Sequence, residues 1–235
     1  MELGLQDGSL MRRVKEPVQA GANPESYIRI VVTRGTGVAP NIDLAYAPGP
    51  VTCVILVRPL PTLATTEARL AIVKRLRNDR RALDPAIKSG NYLNNVLGLA
   101  EAKAAGATDC LFLNRAGHLT ETSTSNIFLV RDREVFTPPL DAGLLAGITR
   151  GLLFNCCDEE GVAIDERELT EADVRGADEM FVTSTSREVA PVTHLDGKPV
   201  GDGSPGPVTQ RLAKLFRDFC RRRTAEIYRP RYEAL

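Results

Sequence analysis

Apolar and polar positions follow two different patterns along the chain. The first part contains two runs rich in β-branched residues, S-Y-I-R-I-V-V-T-R-G and V-T-C-V-I-L-V-R-P-L, which predict strands on either side of a Pro/Gly-rich loop. The second run is apolar without interruption, which favours a strand covered on both faces. The segment G-S-L-M-R-R-V-K-E-P-V-Q-A-G-A-N-P predicts a short helix that ends at its Gly-Ala-Asn-Pro exit, and A-R-L-A-I-V-K-R-L is a candidate third strand.

A helical pattern begins after the loop R-N-D-R-R-A-L-D-P. The apolar residues of the next segment recur at helical spacing, and they are Leu93, Val96, Leu97, Ala100 and Ala104. Alternating apolar residues then predict strands joined by tight turns, followed by helices, further strands and a long amphipathic C-terminal helix. We therefore predict two domains, residues 1–83 and 84–235, that join at about Asp84. The second domain is expected to be α+β with a largely antiparallel sheet.

Composition restricts the classes of partner. The 235 residues carry 30 basic and 30 acidic side chains, and 43% of them are hydrophobic, which is ordinary for a soluble globular protein. The balanced charge gives no field that would attract nucleic acid or an anionic membrane. No stretch has the apolar length of a signal peptide core or a membrane span. We therefore expect small-molecule partners, without nucleic acid or membrane.

Cysteine and histidine usage indicates a cytoplasmic protein without a metal site. The five cysteines form no C-x-x-C pair, so we expect them to be reduced thiols, mostly buried. Only His118 and His194 are present, and they lack the spacing of metal ligands. This scarcity argues against a zinc site and against a Ser-His-Asp or Cys-His triad.

Two residues are candidates for the central chemistry. Lys88 follows Asp-Pro-Ala-Ile at the predicted start of a helix, and a reactive amine needs a partly desolvated lysine on a rigid backbone. Glu121 lies in a predicted strand among Thr and Ser residues, whose small side chains would let a ligand approach. A carboxylate against a pyridine nitrogen would keep that ring protonated and make it an electron sink. Taken alone, either residue could be a solvated side chain.

Two segments are candidates for binding a phosphate. Residues 146–150, A-G-I-T-R, open a predicted helix, whose free N–H groups and threonine hydroxyl would attract an anion. Residues 183–186, T-S-T-S, offer a second cluster of hydroxyls and amides between a strand and Arg187. Each segment alone is as well explained by a helix cap or a turn.

The spacing of these segments resembles a known signature. E-T-S-T-S-N-I-F, then V-F-T, then L-A-G-I-T-R run in unbroken register from Glu121 to Arg150. The order and spacing resemble the class IV aminotransferases, the fold-type IV pyridoxal-phosphate enzymes that include branched-chain aminotransferases, D-amino acid aminotransferases and aminodeoxychorismate lyases. I-K-S-G-N-Y-L-N-N-V-L is similar to the family's lysine segment, and T-S-T-S-R-E-V-A-P-V to its second phosphate strand. The resemblance covers roughly Tyr27 to Phe219.

The resemblance implies a fold, a cofactor and a role for particular residues. The implied fold is α+β, with a truncated small α/β domain and a larger domain whose sheet is mostly antiparallel and barrel-like. The cofactor is pyridoxal 5'-phosphate, with Lys88 as the Schiff-base lysine, Tyr92 at the phenolic oxygen and Glu121 at the pyridine nitrogen. The resemblance assigns phosphate binding to Ile148, Thr149, Ser184 and Thr185. It assigns substrate binding to Tyr27, Arg29, Arg34 and Ser186.

The implied reaction is amino transfer between an amino acid and a 2-oxo acid such as 2-oxoglutarate, in a homodimer. Tyr27-Ile28-Arg29 favours branched-chain substrates, whereas E-T-S-T-S-N is closer to the D-amino acid enzymes, and aminodeoxychorismate lyase uses the same lysine. Family members begin with a further strand and helix that carry an arginine for the cofactor phosphate, and this sequence contains no H-x-x-R-L segment. We therefore expect an N-terminally shortened member, and a non-catalytic relative is the alternative from another class.

Overall fold

The structure is a computed structural model that describes residues 9–60 and 67–232, with backbone alone for 226–232. The helices of these residues are α1 (Ser9–Gly21), α2 (Leu93–Ala104), α3 (Ile148–Glu159), α4 (Glu171–Arg175) and α5 (Pro207–Tyr232). The strands are β1 (Ser26–Thr33), β2 (Thr52–Pro59), β3 (Ala68–Ile72), β4 (Asp109–Leu113), β5 (Leu119–Thr122), β6 (Asn126–Arg131), β7 (Glu134–Thr137), β8 (Ile164–Glu166), β9 (Glu179–Ser184), β10 (Glu188–Leu195) and β11 (Lys198–Pro199).

The first compact unit ends at Ala64 and contains α1, β1 and β2. The two strands pair antiparallel from Ser26 opposite Pro59 to Thr33 opposite Thr52, and α1 packs on β2. Residues of β2 alternate between exposed and half-buried, so the prediction of a strand covered on both faces is wrong. The reason is that one short helix can cover only one of the two faces of a two-stranded ribbon.

The second compact unit begins at Thr65 and includes the candidate third strand. That strand is β3, which pairs in parallel with both β10 and β4. The boundary therefore falls before β3 and not near Asp84. Sequence pattern alone misplaces it because a short β-branched run shows that a strand forms but not which sheet it joins.

A nine-stranded sheet forms the centre of the second unit, as far as the described residues show. Six of its strands close into a ring, because each is hydrogen-bonded to the next and the last is paired with the first. In order around the ring they are β10, β3, β4, β5, β6 and β9. β3 is parallel to its two neighbours and β7 is parallel to β8, while the other pairs are antiparallel. The predicted α+β class with a mostly antiparallel, barrel-like sheet is confirmed.

Both faces of the closed sheet are packed. Ile127 and Leu129 of β6 belong to one apolar cluster, whereas Phe128 and Val130 belong to another that includes residues of α3 and α5. This alternation is the two-residue period expected of a strand. A third cluster joins Phe112 of β4 to residues of β3 and α2. None of the helices in the described ranges is long and apolar enough to cross a membrane.

Candidate active site

A cavity of about 370 Å³ opens in the second unit, where the loop before α2, the β5–β6 turn, the start of α3 and the end of β9 meet. The seven residues predicted for the cofactor all line it, namely Lys88, Tyr92, Glu121, Ile148, Thr149, Ser184 and Thr185. Segments far apart in sequence therefore supply an amine, a phenol, a carboxylate and several hydroxyls to one space.

Glu121 is the most completely held of these residues. It lies in β5, where it is buried, and its Oε1 accepts a hydrogen bond from Nε of Arg77 at 2.9 Å. Its Oε2 accepts from the backbone N–H of Leu145 at 3.1 Å. Burial raises the pKa of the Glu121 carboxyl above its ordinary value, while Arg77, the Leu145 N–H and Lys88 act in the opposite direction. The carboxylate is thus fixed in place with its charge matched by a buried arginine.

Leu145 connects the carboxylate to the start of α3. Its N–H donates to Glu121, and its carbonyl accepts a hydrogen bond from Nδ2 of Asn126 at 2.8 Å. Asn126 also explains why residue 147 is a glycine, because a Cβ at that position would collide with the Asn126 Oδ1. The distance between the carboxylate and the helix start is therefore set by direct contacts and not by a free loop.

The first turn of α2 holds the opposite wall. Asn95 is buried and donates from Nδ2 to the carbonyl of Ser123 in the β5–β6 turn at 2.7 Å. The N–H of Ser123 donates to Oδ1 of Asp109 at 3.2 Å. Because both polar groups of the Ser123 backbone are engaged, the turn that lines the cavity is fixed.

Lys88 and Tyr92 lie on a less regular part of the chain. The prediction that Lys88 opens a helix is wrong, because α2 begins at Leu93 and Tyr92 is its N-cap residue. Turns from Asp84 precede Lys88, which is exposed at the cavity wall. The apolar residues after Tyr92 suggested that the helix starts earlier. Pro85, however, disfavours a helical backbone at Asp84, and the segment that precedes Lys88 forms turns.

The start of α3 has the features of an anion site. Gly147 is the N-cap residue and no side chain caps the helix, so its first N–H groups are available to a ligand. Thr149 is buried beside the cavity, while the Ile148 side chain is exposed and offers only its backbone. Ser184 ends β9 and Thr185 begins the turn to β10, close enough to line the same space.

The four residues predicted to bind substrate are not among those that line the cavity. Ser186 is exposed in the β9–β10 turn and is not among the residues that line the cavity. Tyr27 and Arg29 share one face of β1 in the first unit. Arg34 follows that strand and lines a depression of the same unit together with residues 44–45 and 47–51. Their part in substrate binding stays a prediction.

Sequence reasoning missed Arg77, Asn95 and Asn126. Asn126 lies inside the recognised E-T-S-T-S-N-I-F segment, and its position before an apolar strand was a usable signal. Asn95 lies among apolar residues at helical spacing, where a polar side chain indicates a specific hydrogen bond. Arg77 belongs to R-L-R-N-D-R-R, and nothing in such a basic run shows which arginine is buried.

Comparison with known proteins identifies the family. The family profile described as Amino-transferase class IV matches residues 1–195. The chain belongs to the class IV aminotransferase family. Aminotransferases of this class use pyridoxal 5'-phosphate, so the resemblance drawn from the sequence is confirmed together with its cofactor.

Three relatives show how far the similarity extends. A Methanocaldococcus jannaschii protein, provisionally named a branched-chain-amino-acid aminotransferase, is 36% identical over 212 residues, or 88% of this chain and 71% of that protein. The D-alanine aminotransferase of Bacillus licheniformis is 30% identical over 226 residues, or 96% of this chain and 78% of that enzyme. The crystal structure of the branched-chain aminotransferase from Thermoproteus uzoniensis with norvaline has a TM-score of 0.83 at 30% identity, covering 92% of this chain and 72% of that one.

The residues of the cavity fit the cofactor. A pyridoxal phosphate needs an amine for its aldehyde, an acid for its ring nitrogen and an anion site for its phosphate. Lys88, Glu121 and the uncapped start of α3 meet these three needs in one space. Within residues 9–60 and 67–232, no group of three or more His, Cys, Asp or Glu side chains could hold a metal ion.

Proposed function

We propose that the cavity is an aminotransferase active site in which Lys88 is the reactive amine. The observation that carries this proposal is that Lys88, Glu121 and the uncapped N-terminus of α3 line the same 370 Å³ cavity. The cofactor, when bound, supplies an electron sink that weakens the bonds to the amino acid Cα. The chain's own groups bind it, orient it and move one proton.

Each residue has a distinct task in this proposal. Lys88 Nζ would hold the cofactor and would accept the proton from the substrate Cα. Glu121 would accept a hydrogen bond from the ring nitrogen, and Tyr92 would donate one to the phenolic oxygen. The N–H groups of Ile148 and Thr149 would donate to the phosphate. The hydroxyls of Thr149, Ser184 and Thr185 would add further phosphate contacts.

Titration with pyridoxal phosphate tests the role of Lys88. The wild type is expected to turn yellow as the cofactor links to its lysine, and Lys88→Ala is expected to remain without this absorbance. Lys103→Ala, which removes an exposed lysine from the last turn of α2, is the matched control and should behave as the wild type. A wild type that stays colourless would support the non-catalytic relative and contradict the proposal.

We infer that branched-chain amino acids are the preferred substrates, with a 2-oxo acid such as 2-oxoglutarate as acceptor. The names of the Methanocaldococcus jannaschii and Thermoproteus uzoniensis proteins support this inference. The similarity to a D-alanine aminotransferase, together with the polar E-T-S-T-S-N segment, favours D-amino acids as the second candidate. Mixing the cofactor-loaded protein with each amino acid decides between them. Leucine and isoleucine are expected to bleach the yellow absorbance of the bound cofactor. If only D-alanine bleaches it, D-amino acids are the preferred substrates and the inference is wrong.

We also infer a homodimer in which the exposed face of α2 meets a second copy. Leu93, Val96 and Leu97 are 64%, 58% and 39% exposed, although their spacing is that of an apolar stripe. The polar and small residues Asn95, Gly98 and Ala102 occupy the buried side of the helix. Sedimentation should show a dimer that Val96→Asp dissociates, whereas Lys198→Asp, on the exposed strand β11, leaves it intact. A monomeric wild type would contradict the inference. The predicted cytoplasmic location stays a prediction.

A further inference from the structure

Arg77 is the main charged partner of Glu121. Its Nε donates a hydrogen bond to Oε1 of Glu121 at 2.9 Å, and its Nη2 lies 2.9 Å from the same oxygen in the ion pair. Both side chains are only 7% exposed. A buried arginine in this geometry strongly favours the ionised form of the carboxyl group.

Arg77 is itself held by three further contacts. Its Nη1 donates to Oδ1 of Asn94 at 3.0 Å, and Nδ2 of the same asparagine donates to the Leu76 carbonyl at 2.9 Å. The backbone N–H of Arg77 donates to the carbonyl of Leu113 at 2.9 Å, and the guanidinium lies 5.8 Å from the ring centre of Phe112. The arginine is therefore held in the cavity wall by contacts with the chain's own residues.

The charges around Glu121 come from two different segments. Arg77, after β3, and Lys88, before α2, both lower the pKa of the carboxyl group, and Arg77 has the larger effect of the two. Near Arg77, on β4, burial raises the pKa of the Cys110 thiol to about 12, and Asp109 adds to that shift. Cys110 is therefore neutral at physiological pH and does not compete for the charge of Arg77.

We propose that Arg77 holds Glu121 as a carboxylate and so leaves the proton that they share on the ring nitrogen of the bound cofactor. This inference rests on the proposed function. Two bases in contact, the carboxylate and the pyridine nitrogen, compete for one proton, and it resides on the stronger base. Arg77 weakens the carboxylate as a base. Without Arg77, burial strengthens the carboxylate, the proton moves to Glu121, and the ring loses the charge that makes it an electron sink. Arg77 is thus a positioning residue that acts through Glu121.

Nitrogen NMR of the protein loaded with ring-¹⁵N pyridoxal phosphate tests where the proton lies. The wild type is expected to give a pyridinium signal, and Arg77→Met is expected to shift it to the neutral pyridine position, as Glu121→Gln also should. Arg77→Lys restores a charge and should keep the pyridinium signal, as should Arg115→Met, which removes an exposed arginine. A pyridinium signal in Arg77→Met would overturn the proposal.

The ligand-free protein gives an independent readout. Infrared spectra at neutral pH should show a protonated carboxyl band in Arg77→Met that is missing from the wild type and from Arg77→Met combined with Glu121→Gln. If pyridoxal phosphate does not bind at all, the proposed function fails, while this band still decides whether Arg77 controls Glu121. Should Arg77→Met not fold, Asn94→Ala decides, because it frees Nη1 and should give a smaller shift in the same direction. An unchanged spectrum in Asn94→Ala would then contradict the proposal.

Discussion

The two sides of the cavity are built in different ways. Glu121 lies on a strand, is buried, and has both oxygens bound by Arg77 and Leu145. Lys88 lies in a loop, is exposed, and makes no hydrogen bond with the described residues. The carboxylate side is therefore held by the chain's own contacts, whereas the amine is not. In the proposed reaction, the group that binds the ring is thus fixed and the group that forms and releases a bond has no such contacts.

Lys88→Ala should give the largest loss of activity. Removing a positioned acid–base group costs ~10²–10⁴-fold in turnover. Because Lys88 is exposed, the free energy of unfolding should change by no more than about 0.5 kcal/mol. Steady-state kinetics with 2-oxoglutarate and denaturant unfolding measure the two effects. A clear loss of stability with retained turnover would contradict the comparison.

Glu121→Ala, unlike Lys88→Ala, should cost stability as well as activity, and the loss of stability should be large. It leaves the guanidinium of Arg77 buried without its carboxylate, which costs about 3–5 kcal/mol. Urea unfolding of the ligand-free protein measures this cost. Arg77→Met combined with Glu121→Leu removes both charges and should recover most of it. If the double variant is as unstable as Glu121→Ala, the buried pair is not the source of the loss.

Gly147→Ala should disturb the start of α3. The new methyl group would collide with Asn126 Oδ1, and overpacking of this kind costs ~1–3 kcal/mol. We also expect weaker binding of pyridoxal phosphate, measured by fluorescence titration, because the helix start would shift. Gly151→Ala lies in the same helix with no atom within 4 Å of its added Cβ, and should stabilise by about 0.5–1 kcal/mol. Equal effects at both glycines would show that the contact with Asn126 is unimportant.

The smallest effect is expected when the native protein is treated with a thiol reagent, because the cysteines next to the sheet are buried. Burial raises the pKa of Cys110 and of Cys157 to about 12, so neither carries a thiolate at pH 8. Both should resist a thiol reagent in the native protein and react only after unfolding. Labelling followed by peptide mass mapping measures this. Rapid native labelling of Cys110 would mean that the sheet next to Arg77 opens readily.

Sequence pattern predicted much of the fold and the grouping of the site, because both depend on local periods and on one spaced signature. Glu121 and the A-G-I-T-R segment were expected to face one ligand, and they line one cavity. The signals failed where a distant partner decides. Whether β3 joined the first or the second sheet depended on β10, which lies far along the chain. The burial of Arg77 depended likewise on Glu121 and Asn94. The apolar spacing of α2 predicts a helix, but it does not show whether the apolar side of that helix is buried or exposed in the folded chain.

The most direct test of the central claim is to reduce the pyridoxal phosphate-loaded protein with borohydride and to map its peptides by mass spectrometry. Reduction makes the link between the cofactor and its lysine permanent, so the modified residue can be identified. The account predicts one phosphopyridoxyl group per chain, on Lys88. Modification of Lys74 or Lys103 in its place, or no stoichiometric modification, would contradict it.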